Sequence, residues 1–291
     1  MLNRFLVLMV GLLGVALVFP GNLFAQNSAT KTWPEPVPNR APVAEKDKKP
    51  APRRSIAGLW GSREGNQAKG VQLHPNDGKP ENQPPFTPYG LELYKSHKAL
   101  EGFDAVAPAY NNDPRVRCEP LGLPRANHYD LGVQVFQDEY KIAMLYQYDN
   151  RWRIIWTDGR PLPKVLDGGV EINGDYRESR WFGYSVGKWI DDTTLQVQTV
   201  GTMSEDRVWL DNTGRPISDQ VLITETFRRL DNDDLEWSET LADPKVFTKP
   251  WQTMKLALRL QNPRADVLTR YCSPSEVDTY NKTYGDSASG K

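Results

Sequence analysis

Residues 220–242 read QVLITETFRRLDNDDLEWSETLA, and this stretch decides the fold. Two runs of alternating apolar and polar residues flank the turn residues DNDD, a pattern typical of two antiparallel strands joined by a hairpin. Glu225 in the first run and Glu239 in the second share the phase of the apolar residues, so we expect both to point inward. If the turn places Phe227 opposite Trp237, then Glu225 faces Glu239.

The same rhythm extends in both directions along the chain. Short runs rich in β-branched and aromatic residues are separated by Asp, Asn and Gly turns, and they read GVQVFQ, EYKIAMLYQY, RWRIIWTD, RWFGYSVGKWI, TLQVQTV, QVLITETFRRL, DLEWSETLA and WQTMKLALRL. With SIAGLW at residues 55–60, the runs amount to about nine strands. A sheet of that size usually curls, and closure removes its exposed edges. The sequence therefore predicts a mainly β fold, an antiparallel up-and-down barrel.

Two short helices are expected to flank the barrel. Thr87 has the residue type of an N-cap and Pro88 suits the first helical position. Near the C-terminus, Ser273, Pro274 and Glu276 have the spacing of a capping box.

The N-terminal residues predict export. Arg4 precedes an apolar run over residues 5–19, and Ala25 is a small residue before a polar one, which together describe a cleaved signal peptide, residues 1–25. An uncleaved anchor is the alternative, although the run is short for a membrane span. Residues 26–54 are rich in Pro, Lys and Ala and predict a disordered tether. We expect residues 55–291 to form a single β-barrel domain, periplasmic or secreted, with no transmembrane span after cleavage.

Export makes the two cysteines interpretable. An oxidising compartment favours a disulfide between Cys118 and Cys272, the only cysteines in the chain. No Cys or His lies at metal-ligand spacing from either, so no metal site is expected. A net charge of −1 gives no electrostatic footprint for nucleic acid, which we exclude as a partner.

A family resemblance covers nearly all of the chain after the predicted tether. It rests on the segments GLW, RCEPLGLPR, WRIIWTDGRPLP, GYSVGKWIDDTTLQVQTVG, WLDNTGRPISD, ITETFRRLDNDDLEWSETLADPKVFTKPW and YCSPSE. In these the chain resembles a large family of exported bacterial proteins of unknown function, common in Acidobacteria and Proteobacteria, and the resemblance implies no activity. Family members often carry His before the SD of GRPISD, where this chain has Ile217. The G-x-W opening, Gly58-Leu59-Trp60, and the strand meander are similar to the lipocalin or calycin barrel, which implies that Trp60 packs across one end.

Several stretches match catalytic or metal-binding motifs only in part. The stretch Gly183–Gly187 fits G-x-S-x-G, but a nucleophile elbow needs a helix after Ser185 and a later His. Turn and strand follow instead, and the three histidines all precede Ser185. His128 is a conceivable acid or base near the barrel mouth, with an exposed loop position as the favoured interpretation. The DNDD turn lacks the ligand spacing of a calcium loop.

The inward glutamates are the candidate catalytic residues. Two carboxylates inside a barrel raise one pKa or are neutralised by an inward arginine. Glu225 and Glu239 could therefore serve as acid and base. The favoured alternative is that one or both reach water near a strand end, or pair structurally with Arg153 or Arg228.

A second group of residues is predicted to bind a ligand. If Trp152 and Trp156 face inward on their strand, Asp158 and Arg160 come at its end, near the barrel rim. Aromatic side chains with a polar atom often line pockets. The predicted ligand-binding residues are Tyr146, Tyr148, Trp156, Asp158, Arg160, Tyr184 and Trp237. A rim salt bridge for Asp158 and Arg160, and ordinary core positions for the tyrosines, stay open as alternatives.

The sequence supports three functional hypotheses. The leading hypothesis is an exported protein that binds a small apolar or aromatic molecule and needs no cofactor. The second is a cofactor-independent barrel enzyme, an isomerase, cyclase, hydratase or lyase, that uses Glu225 and Glu239. The third is an envelope interaction module presented on the tether.

Overall fold

A computed structural model describes residues 41–62, 73–129, 132–148, 150–166, 169–172, 175–178, 180–203, 207–265, 267, 271–280 and 282–283. All of them belong to one compact unit, Pro38–Lys291. The predicted signal peptide and the predicted tether up to residue 40 lie outside the described residues.

Among the described residues, nine strands close into a barrel, which confirms the predicted mainly β architecture. The strands of the chain are β1 Gly58–Ser62, β2 Val133–Gln137, β3 Lys141–Tyr146, β4 Arg151–Trp156, β5 Lys164–Leu166, β6 Gly169–Ile172, β7 Asp175–Glu178, β8 Tyr184–Trp189, β9 Thr194–Val200, β10 Leu222–Arg229, β11 Asp234–Ala242, β12 Trp251–Gln252 and β13 Leu256–Leu260. The sheet order is β10-β9-β8-β4-β3-β2-β1-β13-β11, and β11 pairs with β10 to close the ring. The short β12 adds to β11.

One junction of the barrel differs from the predicted up-and-down order. β8 runs parallel to β4 and pairs Ile155 with Ser185 and Trp156 with Val186. Parallel neighbours need a long crossover instead of a tight turn. The crossover, residues 157–183, carries a separate small sheet of β5, β6 and β7. The barrel is therefore mixed, and the purely antiparallel prediction was wrong at this point.

The hairpin of residues 220–242 has the predicted register. Glu225 pairs with Glu239, and Phe227 pairs with Trp237. The Phe227 and Trp237 rings lie 4.5 Å apart, centre to centre, inside the core. Period-two alternation restricts the hairpin to registers that keep the apolar face inward, and the cross-strand aromatic contact stabilises the register observed.

Trp60 closes one end of the core. Its side chain is fully buried and its indole Nε1 donates to the Ile56 carbonyl at 2.8 Å. The Arg229 guanidinium lies 4.9 Å from the ring centre and donates to the Ser55 carbonyl at 3.0 Å. Gly58 has φ +138°, and a Cβ there would lie 2.3 Å from Leu260 Cδ1, so β1 and β13 approach closely at the G-x-W glycine.

Both predicted helices are present in the described part of the chain: α1 spans Pro88–Ser96 and α2 spans Pro274–Tyr280. Thr87 Oγ1 accepts a hydrogen bond from the Gly90 amide at 3.0 Å, which confirms the N-cap. Neither α-helix has the length and apolar character that crossing a bilayer takes.

The predicted disulfide joins Cys118 and Cys272, which are separated by 154 positions in sequence. It links the loop region before β2 to the residue that precedes α2 by two positions. This prediction is confirmed.

Residues 41–54, the part of the predicted tether that is described, contact turns of the barrel. Lys48 Nζ lies 3.1 Å from Asp231 Oδ2 in the β10–β11 turn. Arg53 pairs with Asp192 in the β8–β9 turn at 2.9 Å. Both contacts are ion pairs. Hydrophobic periodicity, which this segment lacks, could not have predicted them.

Candidate functional site

Five polar side chains from neighbouring strands meet inside the barrel. Arg153 comes from β4, Ser185 from β8, Thr199 from β9, Glu225 from β10 and Glu239 from β11, and all are at most 2% exposed. We call this set the polar layer. Buried polar groups must find hydrogen-bond partners within the protein, so the contacts among these residues decide what each can do.

Arg153 neutralises one of the two glutamates. Its two terminal nitrogens reach the two carboxylate oxygens of Glu225, with an Nη1 to Oε1 distance of 2.9 Å. Its Nε donates to Ser185 Oγ at 3.0 Å, and Nη2 donates to Thr199 Oγ1 at 2.7 Å. A bidentate, charge-assisted pair of this kind is strong and directional. The structure thus bears out the alternative in which a glutamate pairs with Arg153.

This pair also sets the orientation of β4. Arg153 and Ile155 face the interior, whereas Trp152 is 66% exposed on the outer side. Trp156 shares the outer side with Trp152, so the arrangement with both tryptophans inward, on which the predicted ligand contact of Trp156 depended, does not occur. The guanidinium can occupy this interior position because its carboxylate partner offsets part of its desolvation cost.

A loop closes over both glutamates. Asn127 Nδ2 donates to Glu225 Oε1 at 3.1 Å and to Glu239 Oε1 at 2.6 Å. Tyr146 donates its hydroxyl proton to Asn127 Oδ1 at 2.7 Å, which orients the amide. His128 Nε2 lies 2.7 Å from Glu239 Oε2. One amide therefore bridges the two carboxylates, and an imidazole caps the second.

The sequence had favoured an exposed position for His128, and this was wrong. Its side chain is 3% exposed. RANHYD is a polar stretch with no local apolar pattern, and the partner, Glu239, lies 111 positions away. Only the fold brings them together.

The surroundings of the polar layer shift the pKa values of its members. Burial raises the pKa of Glu225 above its usual range despite the opposing effect of Arg153, and the Glu239 charge adds to the rise. Burial opposes the charge of Arg153, but the Glu225 carboxylate raises the pKa of that guanidinium above its usual value. Burial also raises the pKa of Tyr146, so the phenol stays protonated and donates to Asn127.

A second buried ion pair holds the loop in place. Arg125, 2% exposed, donates from Nη1 to Asp113 Oδ1 at 2.9 Å and from Nε to Asn212 Oδ1 at 3.0 Å. Burial alone would raise the pKa of Asp113, but Arg125 outweighs it and lowers that pKa below its usual range. Because Arg125 and Asn127 lie in one short 3-10 helix, Arg125–His128, this pair fixes the residues that cap the glutamates.

Tyr148 lies beside this loop rather than in the barrel interior. Its hydroxyl accepts from Arg115 Nε at 2.8 Å, and its ring lies 4.6 Å from the ring of Tyr129. It therefore belongs to the cluster that holds the loop.

The predicted rim residues form a compact cluster. The Arg160 guanidinium lies 3.6 Å from the centre of the Trp156 ring, pairs with Asp158 at 2.7 Å, and donates to the Tyr184 hydroxyl at 3.0 Å. Trp156 and Tyr184 alternate with Ile155 and Ser185, which face inward, so this cluster lies on the outer side of the barrel. The salt bridge between Asp158 and Arg160 matches the alternative in which these two residues pair with each other instead of binding a ligand.

A pocket of about 440 Å³ lies where β4 and β8 separate. Among the described residues, the two strands pair only at Ile155–Trp156 and Ser185–Val186. The chain before these positions, residues 150–154 and 180–184, is not joined by that pairing and forms the pocket walls. The aromatic residues of the lining are Trp152, Trp156, Trp181, Phe182 and Tyr184, and Arg153 and Ser185 of the polar layer also contribute.

The structure thus divides the predicted site residues into separate groups. Glu225, Glu239 and Tyr146 meet in the interior, and Trp237 is buried in the core against Phe227. The remaining ligand-binding candidates lie outside, in the cluster of Trp156, Asp158, Arg160 and Tyr184 or, for Tyr148, beside the loop.

The other candidate groups have structural partners. Ser185 lies on a strand and is 2.9 Å from Thr199 Oγ1, without the elbow geometry that a serine nucleophile needs. His97 stacks on Trp209, with 4.5 Å between ring centres. Within the described ranges, no group of three or more His, Cys, Asp or Glu side chains is arranged to hold a metal ion.

Comparisons with known proteins give no relative for this chain. No protein-family model matches it, and neither a curated protein nor a solved structure matches it significantly. The resemblance to exported bacterial proteins stays a prediction.

Proposed function

We propose that this protein is an exported small-molecule-binding protein and that the pocket between β4 and β8 holds an apolar or aromatic ligand. The carrying observation is the aromatic lining of that pocket, at the junction where, among the described strands, two barrel neighbours run parallel. Its volume of about 440 Å³ falls within the range of roughly 300–1,000 Å³ common for small-molecule sites.

The pocket has the chemistry that an aromatic ligand needs. Trp181, Phe182 and Tyr184 contribute aromatic side chains to the lining, and aromatic contacts with a ligand add to the free energy of burying surface. The site is also pre-organised, because Arg153 at its inner side is fixed by Glu225 and Ser185. A preformed site loses less conformational entropy when a ligand binds.

Because side chains fill the barrel interior, we place the ligand-binding site at the β4–β8 junction and not inside the barrel. Large side chains occupy the barrel interior, among them Trp60, Phe227 and Trp237. The polar layer occupies the interior next to the Phe227–Trp237 pair. A ligand at the β4–β8 junction needs none of these to move.

The disulfide supports the proposed compartment. Disulfides persist in the periplasm and outside the cell and are rare in the cytosol. The Cys118–Cys272 bond and the predicted signal peptide therefore both favour a periplasmic or secreted protein.

Binding can be tested with the neutral fluorescent probe N-phenyl-1-naphthylamine. We expect probe emission to rise on binding and tryptophan emission to be quenched. Trp152→Ala removes an exposed pocket wall and should weaken binding about tenfold, or about 1.4 kcal/mol. Phe136→Ala removes an aromatic residue that is 57% exposed and does not line the pocket, so it should leave binding unchanged.

Absence of probe binding, or equal affinity in both variants and the parent protein, would count against the proposal. Mass spectrometry of organic extracts from the purified native protein gives an independent measurement, since a co-purified aromatic compound would be recovered from the parent protein and depleted in Trp152→Ala.

An enzyme is the second candidate, and one observation favours it. His128 and Glu239 are hydrogen-bonded at 2.7 Å, the arrangement by which a carboxylate orients an acid–base imidazole. Glu225 is ion-paired with Arg153, so the pair His128 and Glu239 replaces the two glutamates as the candidate acid–base system. Both side chains are at most 3% exposed, so substrate would need the loop over them to open.

Incubation of the protein with fractionated small-molecule extracts, followed by mass spectrometry, tests this candidate. An enzyme would consume a component in the parent protein and lose that turnover in His128→Gln while retaining probe binding. Turnover that is unchanged in His128→Gln would exclude this assignment.

A further inference from the structure

We infer that the pocket between β4 and β8 takes a short peptide in extended conformation, whose main chain continues the β4–β8 pairing along the unpaired part of β4. The inference rests on the proposed function and names the ligand class of the same pocket.

The main-chain groups of Trp152 and Ile154 point from β4 toward the pocket. The Thr157 amide donates to the Tyr140 carbonyl at 2.8 Å, on the side of β3. In an antiparallel pair, successive residues direct their main-chain groups alternately toward and away from the partner strand. The odd-numbered residues of β4 therefore bond to β3, in the register that joins the two strands. Trp152 and Ile154 direct their amides and carbonyls to the opposite side, and both residues line the pocket.

β8 covers only the last part of this edge of β4. It pairs Ile155 with Ser185, and in a parallel pair one residue bonds to the two residues that flank its partner. The Ser185 amide then lies against the Ile154 carbonyl, and the Ser185 carbonyl lies against the Trp156 amide. Among the described residues no strand pairs with β4 on this side before Ile155. The Ile154 amide and both main-chain groups of Trp152 thus face the pocket without a described strand partner.

A peptide main chain supplies the groups that this edge lacks. Sheet edges bind extended segments through main-chain hydrogen bonds, and pockets for the side chains add specificity. A peptide residue opposite Arg153 would donate its amide hydrogen to the Trp152 carbonyl and accept from the Ile154 amide. This repeats the pattern of Ser185 two positions earlier along β4, so the ligand extends a parallel pairing that the barrel already contains. A purely apolar ligand would leave these main-chain groups without partners.

The surroundings of the edge also select the side chains of the peptide. Paired residues of neighbouring strands point to the same face of a sheet, so the residue opposite Arg153 points into the barrel. Arg153 is held there by Glu225 and Ser185, and side chains already fill the interior, so we expect a small residue at this position. The residues before and after it point outward, beside Trp152 and Ile154. We expect aromatic side chains at those two positions, because the pocket lining is aromatic.

The tripeptide acetyl-phenylalanyl-alanyl-phenylalaninamide and two ester analogues test the inference by calorimetry. In the first analogue an ester oxygen replaces the N–H of the alanine. In the second it replaces the N–H of the last phenylalanine, which points away from β4. We expect the tripeptide to displace N-phenyl-1-naphthylamine and the first ester to bind about tenfold more weakly, because the Trp152 carbonyl loses its donor. The second ester should bind as tightly as the tripeptide.

A matched pair of variants tests the same contact from the side of the protein. Ile154→Pro removes the N–H of residue 154, and because that N–H points away from β3, the hydrogen bonds between β3 and β4 remain. Ile154→Ala shortens the same side chain and keeps the N–H. We expect the tripeptide to bind Ile154→Pro about tenfold more weakly than Ile154→Ala, while N-phenyl-1-naphthylamine binds both variants equally.

Equal affinity for the two esters, or equal tripeptide affinity in the two variants, overturns the inference. Binding of N-phenyl-1-naphthylamine without binding of the tripeptide overturns it as well, and the proposed function then stands. The ester comparison uses the unaltered protein, so it decides the question even where Ile154→Pro does not fold. If neither the tripeptide nor N-phenyl-1-naphthylamine binds, the proposed function fails and the inference fails with it.

Discussion

Glu225 on β10 and Glu239 on β11 lie directly opposite each other, and the amide of Asn127 donates a hydrogen bond to each carboxylate. Their other partners differ. Glu225 faces the guanidinium of Arg153, and Glu239 faces the imidazole of His128. Two chemically identical residues at one register position therefore have different partners, and the carboxylate of Glu225 has a structural role as the counter-charge of Arg153.

Glu225→Gln should strongly destabilise the fold. It leaves the buried Arg153 without its carboxylate, and breaking a buried ion pair in this way typically costs about 3–5 kcal/mol. Urea denaturation followed by tryptophan fluorescence measures the loss. Glu236→Gln is the control, because Glu236 pairs at 3.2 Å with Lys255, which is 58% exposed, and such pairs contribute at most about 1 kcal/mol. A Glu225→Gln cost no larger than the control would contradict the structural role.

Asn127→Asp should destabilise the protein in a pH-dependent way. The change keeps the shape but places a third carboxylate against Glu225 and Glu239, which raises the folded-state pKa of a carboxyl in this group. A raised pKa means that the penalty is full at pH 7 and fades as the pH falls toward the unfolded value of about 4. Denaturation at pH 7 and pH 4.5 checks this.

Asn262→Asp provides the matched control for that experiment. The Arg264 amide donates a hydrogen bond to Asn262 Oδ1 at 2.9 Å in a turn, and an aspartate at this position can accept the same hydrogen bond. A destabilisation by Asn127→Asp that is the same at both pH values would argue against the contacts of Asn127 with the two carboxylates.

Asp113→Asn should reveal an ion pair that acid removes. Arg125 lowers the folded pKa of Asp113, so the carboxylate contributes stability above the unfolded pKa of about 3.9 and loses it as the pH falls through the lower folded value. The difference in unfolding free energy between the parent protein and Asp113→Asn is therefore expected to be largest at pH 5–7 and to shrink toward pH 3. A constant difference over that range would show that charge is not the source of the stability.

Reduction of the Cys118–Cys272 disulfide should destabilise the protein. The bond spans 154 positions, and loop-closure entropy predicts a cost of up to about 5 kcal/mol. Denaturation midpoints with and without reductant measure it. The variant Cys118→Ser/Cys272→Ser should be insensitive to reductant and match the reduced protein, and identical midpoints of oxidised and reduced parent protein would contradict the prediction.

Local patterns in the sequence were sufficient for the nine barrel strands and for the inward phase of one hairpin, but not for the small sheet of β5, β6 and β7. Alternation with period two placed Glu225 and Glu239 on the inner face, and the register that puts Phe227 opposite Trp237 also puts the two glutamates opposite each other. These features depend on residues close together in the chain, so their information is local. The N-cap at Thr87 follows from side-chain chemistry over three residues, and the Cys118–Cys272 bond follows from the count of cysteines in a chain that is predicted to be exported.

Contacts between distant residues decided the rest. Alternation alone could not choose which face of β4 points inward, because Arg153 becomes stable in the core only through Glu225, 72 positions away. The position of His128 depends in the same way on Glu239. The sequence by itself determined the β architecture and the inward carboxylates, since hydrophobic periodicity is local. Only the tertiary structure decided what those carboxylates bind and where β4 and β8 separate to form the pocket. The physical reason is that the free energy of a buried charge depends on partners that folding supplies.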